Sequence, residues 1–252
     1  MSERKIAIVT GGSRGIGRNT VQCLAARGVA TILTYNANRE AAEEAVALAE
    51  AAGALALALP LDVGDAASFA DFAGKVGKAL AAWGAERFDY LANIAGTSSA
   101  AKLESITEAE MDALYRVHLK GPMFLTQALL PLLNDGGRIV NISSGLARVP
   151  FVGRIGYGPI KAAVEALTRN MAAELGDRGI VVNTVAPGAI ATDFSGGVVR
   201  DNPEVNKMVA AHTMLGRAGT PEDVGPVIAA LLCDPLGWIN AERIEVAGGM
   251  KG

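Results

Sequence analysis

Seven short apolar runs, separated by longer alanine-rich segments, constrain the fold of this chain more than any other feature of its sequence. The runs are KIAIVT, ATILTY, ALALALPL, FDYLANI, GRIVNIS, GIVVNTVA and RIEVAG. A continuous apolar run is typical of a strand that is buried on both faces of a parallel sheet, whereas a strand with one wet face alternates apolar and polar residues. The runs therefore predict the strands of one parallel sheet.

The segments between these runs have the length and composition of helices. GRNTVQCLAARG, REAAEEAVALAEAAG and DAASFADFAGKVGKALAAWG each follow one run and precede the next, and the first two end at Gly28 and Gly53. Strand and helix alternate without a break in composition, which predicts an α/β fold, a doubly wound parallel sheet in three α/β/α layers. We expect residues 1–252 to form a single domain.

Composition excludes several classes of partner. Half of the residues are apolar, 19% are charged and the formal net charge is -3. A large core is therefore available, but the chain has no basic field for nucleic acid or anionic lipid. Cys23 and Cys233 lack the spacing of a metal site or a disulfide framework, so no metal is expected. No run approaches the ~18 apolar residues of a membrane span, and the first run is too short for a signal peptide. We expect a cytoplasmic protein that binds a small molecule.

One segment departs from the alternation of strands and helices. Residues 189–220, AIATDFSGGVVRDNPEVNKMVAAHTMLGRAGT, carry glycines, prolines and polar residues with only a short helical pattern inside. A long irregular insertion in a compact domain is usually a lid or a binding loop. We interpret this segment as a loop that covers the substrate.

The first predicted strand runs into a glycine-rich turn. IAIVTGGSRGIGRNT places Gly11, Gly12, Gly15 and Gly17 between a strand and a helix. Glycines let backbone amides approach a pyrophosphate, whose charge is favoured at a helix N-terminus. The spacing is not GxGxxG, and a purely structural turn is the alternative. However, the first strand-to-helix turn of a doubly wound sheet is where a dinucleotide binds, and this position favours a nucleotide site.

Four motifs resemble those of the short-chain dehydrogenase/reductase family and follow in the family's order. TGGSRGIG resembles its TGxxxGxG cofactor motif, NIAG its NNAG element, YGPIK its YxxxK element and PGAIAT its PGxxxT element. These motifs span nearly the whole chain, and the closing WINAERIEVAGGM resembles the family's last strand. The resemblance, which extends to members of the 3-oxoacyl-(acyl carrier protein) reductase type, implies a Rossmann fold and an NAD(P)-dependent oxidoreductase.

YGPIK places Tyr157 and Lys161 four residues apart, so both share a face if the segment is helical. Pro159 fits a helix that begins near Tyr157, because the first turn needs no N–H donor there. Ser144 follows the fifth predicted strand, where ligands bind in an open parallel sheet, and Ser143 should point to the opposite face. In the family, the serine binds the substrate oxygen, the tyrosine transfers the proton and the lysine holds the nicotinamide ribose. We also expect the charge of Lys161 to stabilise a phenolate at Tyr157.

His118 lies, within VHLKG, where the family commonly has an asparagine. In the family, the main-chain carbonyl of that residue helps to hold a water that links the lysine to solvent. A side-chain role for His118 and a histidine that only packs on its helix are both compatible with the sequence, so it is a catalytic candidate. His212, inside residues 189–220, is expected to be a solvated loop residue.

The second predicted strand ends in TYNANRE, without the Asp or Glu with which NAD-dependent enzymes usually bind the adenosine ribose. Tyr35 and Asn36 occupy that place. Arg14, with Arg39 as a second candidate, suits a 2′-phosphate through its fork of donors. We therefore expect NADP(H) to be preferred over NAD(H). The residues expected to contact the cofactor are Gly11, Ser13, Arg14, Gly15, Ile16, Gly17, Tyr35, Asn36, Asp62, Val63, Asn93, Ala95, Gly96, Tyr157, Lys161, Pro187, Gly188, Ile190 and Thr192.

Together these features predict an NADP-dependent oxidoreductase that transfers a hydride between nicotinamide and a carbonyl/secondary alcohol substrate, with Tyr157 as acid/base. One alternative is an NAD-dependent alcohol dehydrogenase. Another is a catalytically silent NADP-binding sensor or scaffold, against which the intact Ser144, Tyr157 and Lys161 argue.

Two kinds of protein partner remain open. An acidic acyl-carrier partner would need a basic patch near the entrance, for which Arg148, Arg154, Arg200 and Lys207 are candidates. The long helices that contain TEAEMDALYRVHLKGPMFLTQALLPLL and GPIKAAVEALTRNMAAELG are apolar on more than one face. Resemblance to the family implies that they pack against other subunits in a homotetramer or dimer.

Overall fold

A seven-stranded parallel sheet runs through residues 4–250, the part of the chain that the computed structural model describes. The order across the sheet is β3-β2-β1-β4-β5-β6-β7, and every neighbouring pair is parallel. The predicted doubly wound sheet is confirmed. The strands are β1 (Ile6–Thr10), β2 (Ala30–Tyr35), β3 (Ala56–Pro60), β4 (Phe88–Asn93), β5 (Leu133–Ile142), β6 (Val181–Pro187) and β7 (Arg243–Val246).

Helices connect the strands and cover both faces of the sheet. The helix predicted to begin near Tyr157 begins at that residue, with Pro159 in its first turn. The three helical segments predicted between the first four strands correspond to α1, α2 and α3. The helices are α1 (Gly15–Ala25), α2 (Arg39–Ala51), α3 (Phe69–Ala82), α4 (Glu108–Tyr115), α5 (Gly121–Leu129), α6 (Tyr157–Leu175), α7 (Val198–Asp201), α8 (Pro203–Ala211) and α9 (Pro221–Cys233).

Strand β1 shows why the strand sequences are apolar throughout. Ile6 and Ile8 belong to a core that α3, α5 and α6 cover, whereas Ala7 and Val9 belong to a second core under α1, α2 and α9. Alternate side chains of a strand point to opposite faces, so a strand between two helical layers buries all of them. The three-layer arrangement follows from this double burial.

A buried polar network ties α6 to the sheet. The Asn141 amide donates to the Thr168 hydroxyl at 2.9 Å and accepts from the Asn93 amide at 2.8 Å. Thr168 also accepts from the Thr184 hydroxyl at 2.7 Å and donates to the carbonyl of Val164 at 2.9 Å. Buried polar groups without partners are costly, so this network specifies one position of α6 over β4, β5 and β6.

The crevice at the carboxyl ends of the strands lies where the chain reverses its direction across the sheet. From β1 the chain proceeds to β2 on one side, whereas β4 lies on the other side of β1. Ligands bind at such a switch point in open α/β sheets. Gly11 has a φ of +66°, and a Cβ there would lie 2.8 Å from the Cα of Ala95. A glycine is therefore required for the loops after β1 and β4 to approach each other this closely.

Residues 189–220 contain more helix than the sequence pattern indicated. The segment forms α7 and α8 in addition to a short turn at Phe194–Gly197. Asn202 separates the two helices and caps α8, accepting from the amides of Glu204 and Val205. Within residues 4–250, none of the helices combines the length and the apolar character that crossing a membrane would need.

Candidate active site

A cavity of about 430 Å³ occupies the crevice at the carboxyl ends of the strands. Its lining includes Ser144, Tyr157, Lys161 and His118, and nearly all of the residues predicted to contact a cofactor. The loops after β1, β2, β3, β4, β5 and β6 each contribute to it. The sheet topology thus brings together residues that are as much as 183 positions apart, from Gly11 to Phe194.

Asn93 is the exception among the predicted cofactor residues, because it does not line this cavity. Its side chain is 5% exposed and donates to Asn141 in the polar network beneath the site. The adjacent Ile94 and Ala95 line the cavity instead. Asn93 therefore holds the end of β4 in place from below, and the sequence motif alone did not distinguish this position from its neighbours.

Several lining residues were missed by the sequence analysis, notably Thr97, Val117, Asp193 and Phe194. The Phe194 ring lies 6.2 Å from the Tyr157 ring, centroid to centroid. Its place two residues after the PGAIAT motif, inside the predicted covering loop, was the available signal. Val117, next to His118, could have been found from the same VHLKG segment.

The glycine-rich turn fits a phosphate group. Gly17 is at the start of α1, and a Cβ there would collide with the carbonyl oxygen of Gly11. The amide of Gly11 is held by the Thr34 hydroxyl at 3.2 Å. The first amides of a helix have no intrahelical acceptor and carry a partial positive charge, so the N-terminus of α1 offers donors to an anion in the cavity.

The end of β2 has no carboxylate and lies near an unpaired arginine. Arg14 is exposed and has no carboxylate partner among the described residues, whereas Arg18 pairs with Glu44 at 3.1 Å. Arg39, the second candidate for a phosphate contact, pairs with Glu43 at 2.7 Å on the surface of α2 and does not line the cavity. The structure therefore favours Arg14 over Arg39, because the i,i+4 carboxylate on α2 already occupies the Arg39 guanidinium.

Three buried side chains surround the point where a substrate carbonyl would lie. Tyr157 is 7% exposed, Lys161 is 4% exposed and Ser144 is 8% exposed. The Ser144 hydroxyl is close enough to the Tyr157 phenol to lower its pKa and accepts from the amide of Leu146 at 3.2 Å. Lys161 donates to the carbonyl of Ile142 at 2.7 Å and lies 5.6 Å from the centre of the Tyr157 ring.

Burial dominates the electrostatics of this group. It raises the pKa of Tyr157, against which the Arg154 charge and the Ser144 hydrogen bond act. Burial also lowers the pKa of Lys161 from 10.5 to about 7. The sequence analysis expected the charge of Lys161 to stabilise the phenolate. In the structure the Arg154 charge lowers the pKa of Tyr157, and stabilisation of a phenolate by Lys161, 5.6 Å from the ring centre, stays a prediction.

Ser143 was expected to point away from Ser144, but both serines line the same cavity and Ser143 contacts α6. The strand alternation does not apply here, because β5 ends at Ile142. The Ser143 hydroxyl lies 2.8 Å from a carboxylate oxygen of Glu165 and 3.0 Å from the carbonyl oxygen of Lys161. Arg243 binds the same carboxylate oxygen at 2.5 Å and donates to the carbonyl of Ser144 at 3.3 Å. Arg243 therefore holds the backbone of Ser144, and the Ser143 hydroxyl holds that of Lys161.

His118 is fully buried against Tyr157. Their rings pack edge to face at 5.4 Å, and Nε2 of His118 lies 2.7 Å from the carbonyl oxygen of Thr97. Burial and the Lys161 charge hold the pKa of His118 well below its usual range, so the ring is neutral. The amide of Thr97 also lies 3.2 Å from Nε2, so both backbone polar groups of Thr97 contact this one nitrogen. Nδ1 has no hydrogen-bond partner among the described residues.

The helix around His118 is wound more loosely than an α-helix. Residues Arg116–Lys120 form a π-helical turn between α4 and α5, in which the Gly121 amide donates to the carbonyl of Arg116, five residues back. Pro122 follows and has no N–H, so the carbonyl of His118 lacks its α-helical donor. Such turns are frequent at functional sites.

The chain is similar to known reductases over nearly its whole length. Residues 11–251 match the family model described as enoyl-(acyl carrier protein) reductase. The chain is 35% identical to versicolorin reductase 1 of Aspergillus parasiticus, over 97% of this chain and 95% of that protein.

Two solved structures are similar over almost their whole length. A short-chain dehydrogenase/reductase from Serratia marcescens has a TM-score of 0.91 at 32% identity and covers 98% of both chains. The angucycline C-6 ketoreductase LanV, solved with bound NADP, has a TM-score of 0.92 at 32% identity, covering 97% of this chain and 95% of LanV.

The buried Lys161 predicts a stability that depends on pH. The pKa of Lys161 is about 7 in the folded chain and 10.5 in the unfolded chain. At pH values between these two, Lys161 is protonated in the unfolded chain and deprotonated in the folded chain. The Lys161 contribution to the free energy of unfolding is therefore least favourable below about pH 7. It rises through this window by at most about 1.4 kcal/mol per pH unit.

Urea unfolding near pH 7 and near pH 9 measures this effect. Lys161→Met should be more stable than the wild type near pH 7, and this difference should shrink near pH 9. Lys78→Met, at an exposed lysine of α3, is the matched control and should follow the wild type at both pH values. A constant difference between Lys161→Met and the wild type would contradict the assignment.

Proposed function

The chain belongs to the short-chain dehydrogenase/reductase family, and we propose that within it the protein is an NADP-dependent reductase or dehydrogenase of a carbonyl/secondary alcohol pair. The observation that carries the proposal is the convergence of buried Ser144, Tyr157 and Lys161 on one cavity with the glycine-rich turn. The ketoreductase activity named for LanV and the reductase activity named for versicolorin reductase 1 support the same reaction type.

Each side chain has a distinct task in the proposed reaction. When bound, the nicotinamide supplies or accepts the hydride. The Tyr157 hydroxyl gives its proton to the developing alkoxide in reduction and takes a proton from the alcohol in oxidation. The Ser144 hydroxyl, which lies beside that phenol, holds the substrate oxygen. Lys161 is placed to bind the nicotinamide ribose, and its low pKa makes it a proton carrier near neutral pH.

A screen of ketones with NADPH, read by the decrease in NADPH absorbance, tests the proposal directly. Turnover of at least one ketone is the expected result. A purified protein that binds NADPH but reduces no ketone and oxidises no alcohol would instead support the silent sensor. The expected cytoplasmic location and the homotetramer or dimer stay predictions. Exposed apolar residues on α5, Met123 and Phe124, support the assembly.

Tyr157→Phe should abolish turnover and leave NADPH affinity nearly unchanged. The substitution deletes the transferable proton and keeps the buried ring, and loss of a positioned acid or base costs typically ~10²–10⁴-fold in rate. Steady-state kinetics and NADPH fluorescence titration measure the two effects separately. Tyr115→Phe, at a tyrosine that is 43% exposed, is the control and should behave as the wild type. Turnover by Tyr157→Phe near the wild-type rate would remove this residue from the mechanism.

Arg14→Ala should weaken NADPH more than NADH, because only NADPH offers a 2′-phosphate to the guanidinium. A hydrogen bond to a charged group contributes roughly 1.5–3 kcal/mol, which corresponds to about ten- to a hundredfold in affinity. Asn36→Asp should move the preference towards NADH by repelling the phosphate. Titration with both dinucleotides measures the ratio, and Arg39→Ala is the control because its charge is paired with Glu43.

Two results would contradict the predicted preference for NADPH. A wild type that binds NADH as tightly as NADPH would make NAD the cofactor. Arg14→Ala that weakens both dinucleotides equally would remove the phosphate contact.

His118→Asn should retain most of the activity. The backbone carbonyl at position 118, which Pro122 deprives of its α-helical donor, is unchanged by the substitution, and asparagine keeps a polar group near Thr97. A loss of ~100-fold or more, about 2.7 kcal/mol, with an intact fold would assign a role to the imidazole itself. Steady-state kinetics decide between the two. His212→Asn, which changes an exposed histidine at the end of α8, controls for the replacement of a histidine.

A further inference from the structure

A second cavity, of about 700 Å³, opens beside the candidate active site. We call it the outer groove. It lies between residues 102–104 of the loop after β4, residues 146–155 of the loop after β5, and the start of α6. None of the motifs discussed above accounts for it.

The outer groove begins one residue beyond Tyr157. Gly158 and Pro159 belong to its wall, and the amide of Gly158 donates to the carbonyl of Arg154 at 3.0 Å. Leu146 lines the groove and also packs against Tyr157. The groove therefore begins within one residue of Tyr157 and shares with it the packing of Leu146.

The wall of the groove is largely apolar and open to solvent. Leu103 and Val152 are 77% and 79% exposed, and Phe151 is 51% exposed. Large apolar side chains exposed together mark a surface that is covered by a ligand or a partner. The apolar wall indicates that the occupant has an apolar body.

The charges of the groove are predominantly positive. Arg148, Arg154 and Lys102 line it, against a single carboxylate, Glu104, which lies 3.8 Å from Lys102. Two arginines thus remain without a carboxylate partner in the described part of the chain. Charge complementarity favours an anionic group on the occupant.

Arg154 is the best-placed cation for such a group. It is half-buried, and one guanidinium nitrogen donates to the carbonyl of Ser99 at 2.9 Å, which fixes its position. A guanidinium has five N–H donors in a planar fork that matches a carboxylate, so this contact leaves donors for a ligand. Arg154 is also close enough to Tyr157 to act on its pKa.

We propose that the outer groove binds the distal part of the substrate, and that the preferred substrates are keto acids in which an apolar body links the ketone to a carboxylate bound by Arg154. The proposal rests on the proposed function. The carboxylate takes no part in the reaction: the carbonyl carbon accepts the hydride, the carbonyl oxygen accepts the Tyr157 proton, and the acid leaves as a hydroxy acid.

Pairs of aryl keto acids and their methyl esters, with increasing chain length between ketone and carboxylate, test the substrate class. Each pair differs in one negative charge and little else. With NADPH, the wild type should show a kcat/KM for at least one acid that is about tenfold or more above that of its ester, as for a hydrogen bond to a charged group. Arg154→Gln should lower kcat/KM for the acid at least about tenfold more than for the ester.

Arg87→Gln is the matched control. Arg87 is an exposed arginine just before β4, at the amino-terminal end of the strands, whereas the crevice lies at their carboxyl ends. It should keep the preference for the acid. Equal kcat/KM values for acid and ester in the wild type at every chain length would overturn the proposal. An Arg154→Gln effect that is the same for both members of a pair would also overturn it.

A binding measurement separates this proposal from the proposed function. Calorimetry of Tyr157→Phe with NADP⁺ should show the acid binding more tightly than its ester, and this difference should be lost in the double variant with Arg154→Gln. This outcome supports the groove even if no ketone is turned over. Equal binding of acid and ester would overturn the groove even if neutral ketones are reduced.

Discussion

The burial of the Lys161 ammonium is the constraint on which the rest of the site depends. Removing a charge from water is costly unless a polar partner compensates, and the partner here is the carbonyl of Ile142 at the end of β5. That bond requires the first turns of α6 to lie against the end of β5. The Asn141–Thr168 bond and the Glu165–Arg243 pair hold α6 there. The same position buries Tyr157 and brings it to Ser144.

Burial changes the pKa values of three titratable side chains in the site. Burial disfavours the charged forms of Tyr157 and Lys161, so it raises the pKa of the tyrosine and lowers that of the lysine. Burial and the Lys161 charge also lower the pKa of His118. The positive charge of Arg154, which lines the outer groove, opposes the increase in the pKa of Tyr157. A residue that we assign to substrate binding therefore also bears on the proton donor, which would couple the occupancy of the groove to the chemistry.

The sequence was informative where a residue's task is set by its near neighbours. Alternation of apolar runs and alanine-rich segments predicted the sheet, and Pro159 predicted the start of α6 to within a residue. The sequence was less informative where a task depends on distant partners. Asn93 was assigned to the cavity, but its amide is bonded to Asn141. Arg39 was a candidate for binding the 2′-phosphate of the cofactor, but its guanidinium forms an ion pair with Glu43. The sequence showed only a short helical pattern in residues 189–220, where two helices form, because short amphipathic segments have little periodicity.

By itself, the sequence determined the fold class and the family and predicted Ser144, Tyr157 and Lys161 as site residues, because apolar periodicity and motif spacing are local properties of the chain. Only the tertiary structure decided the electrostatics of these residues. The pKa of Lys161, the neutral state of His118 and the influence of Arg154 on Tyr157 arise from desolvation and from charges brought close by the sheet. The outer groove likewise combines residues 102–104 with residues 146–159, and no local pattern encodes that juxtaposition. Burial and proximity are properties of the packed chain, so they arise only when both layers of helices pack against the sheet.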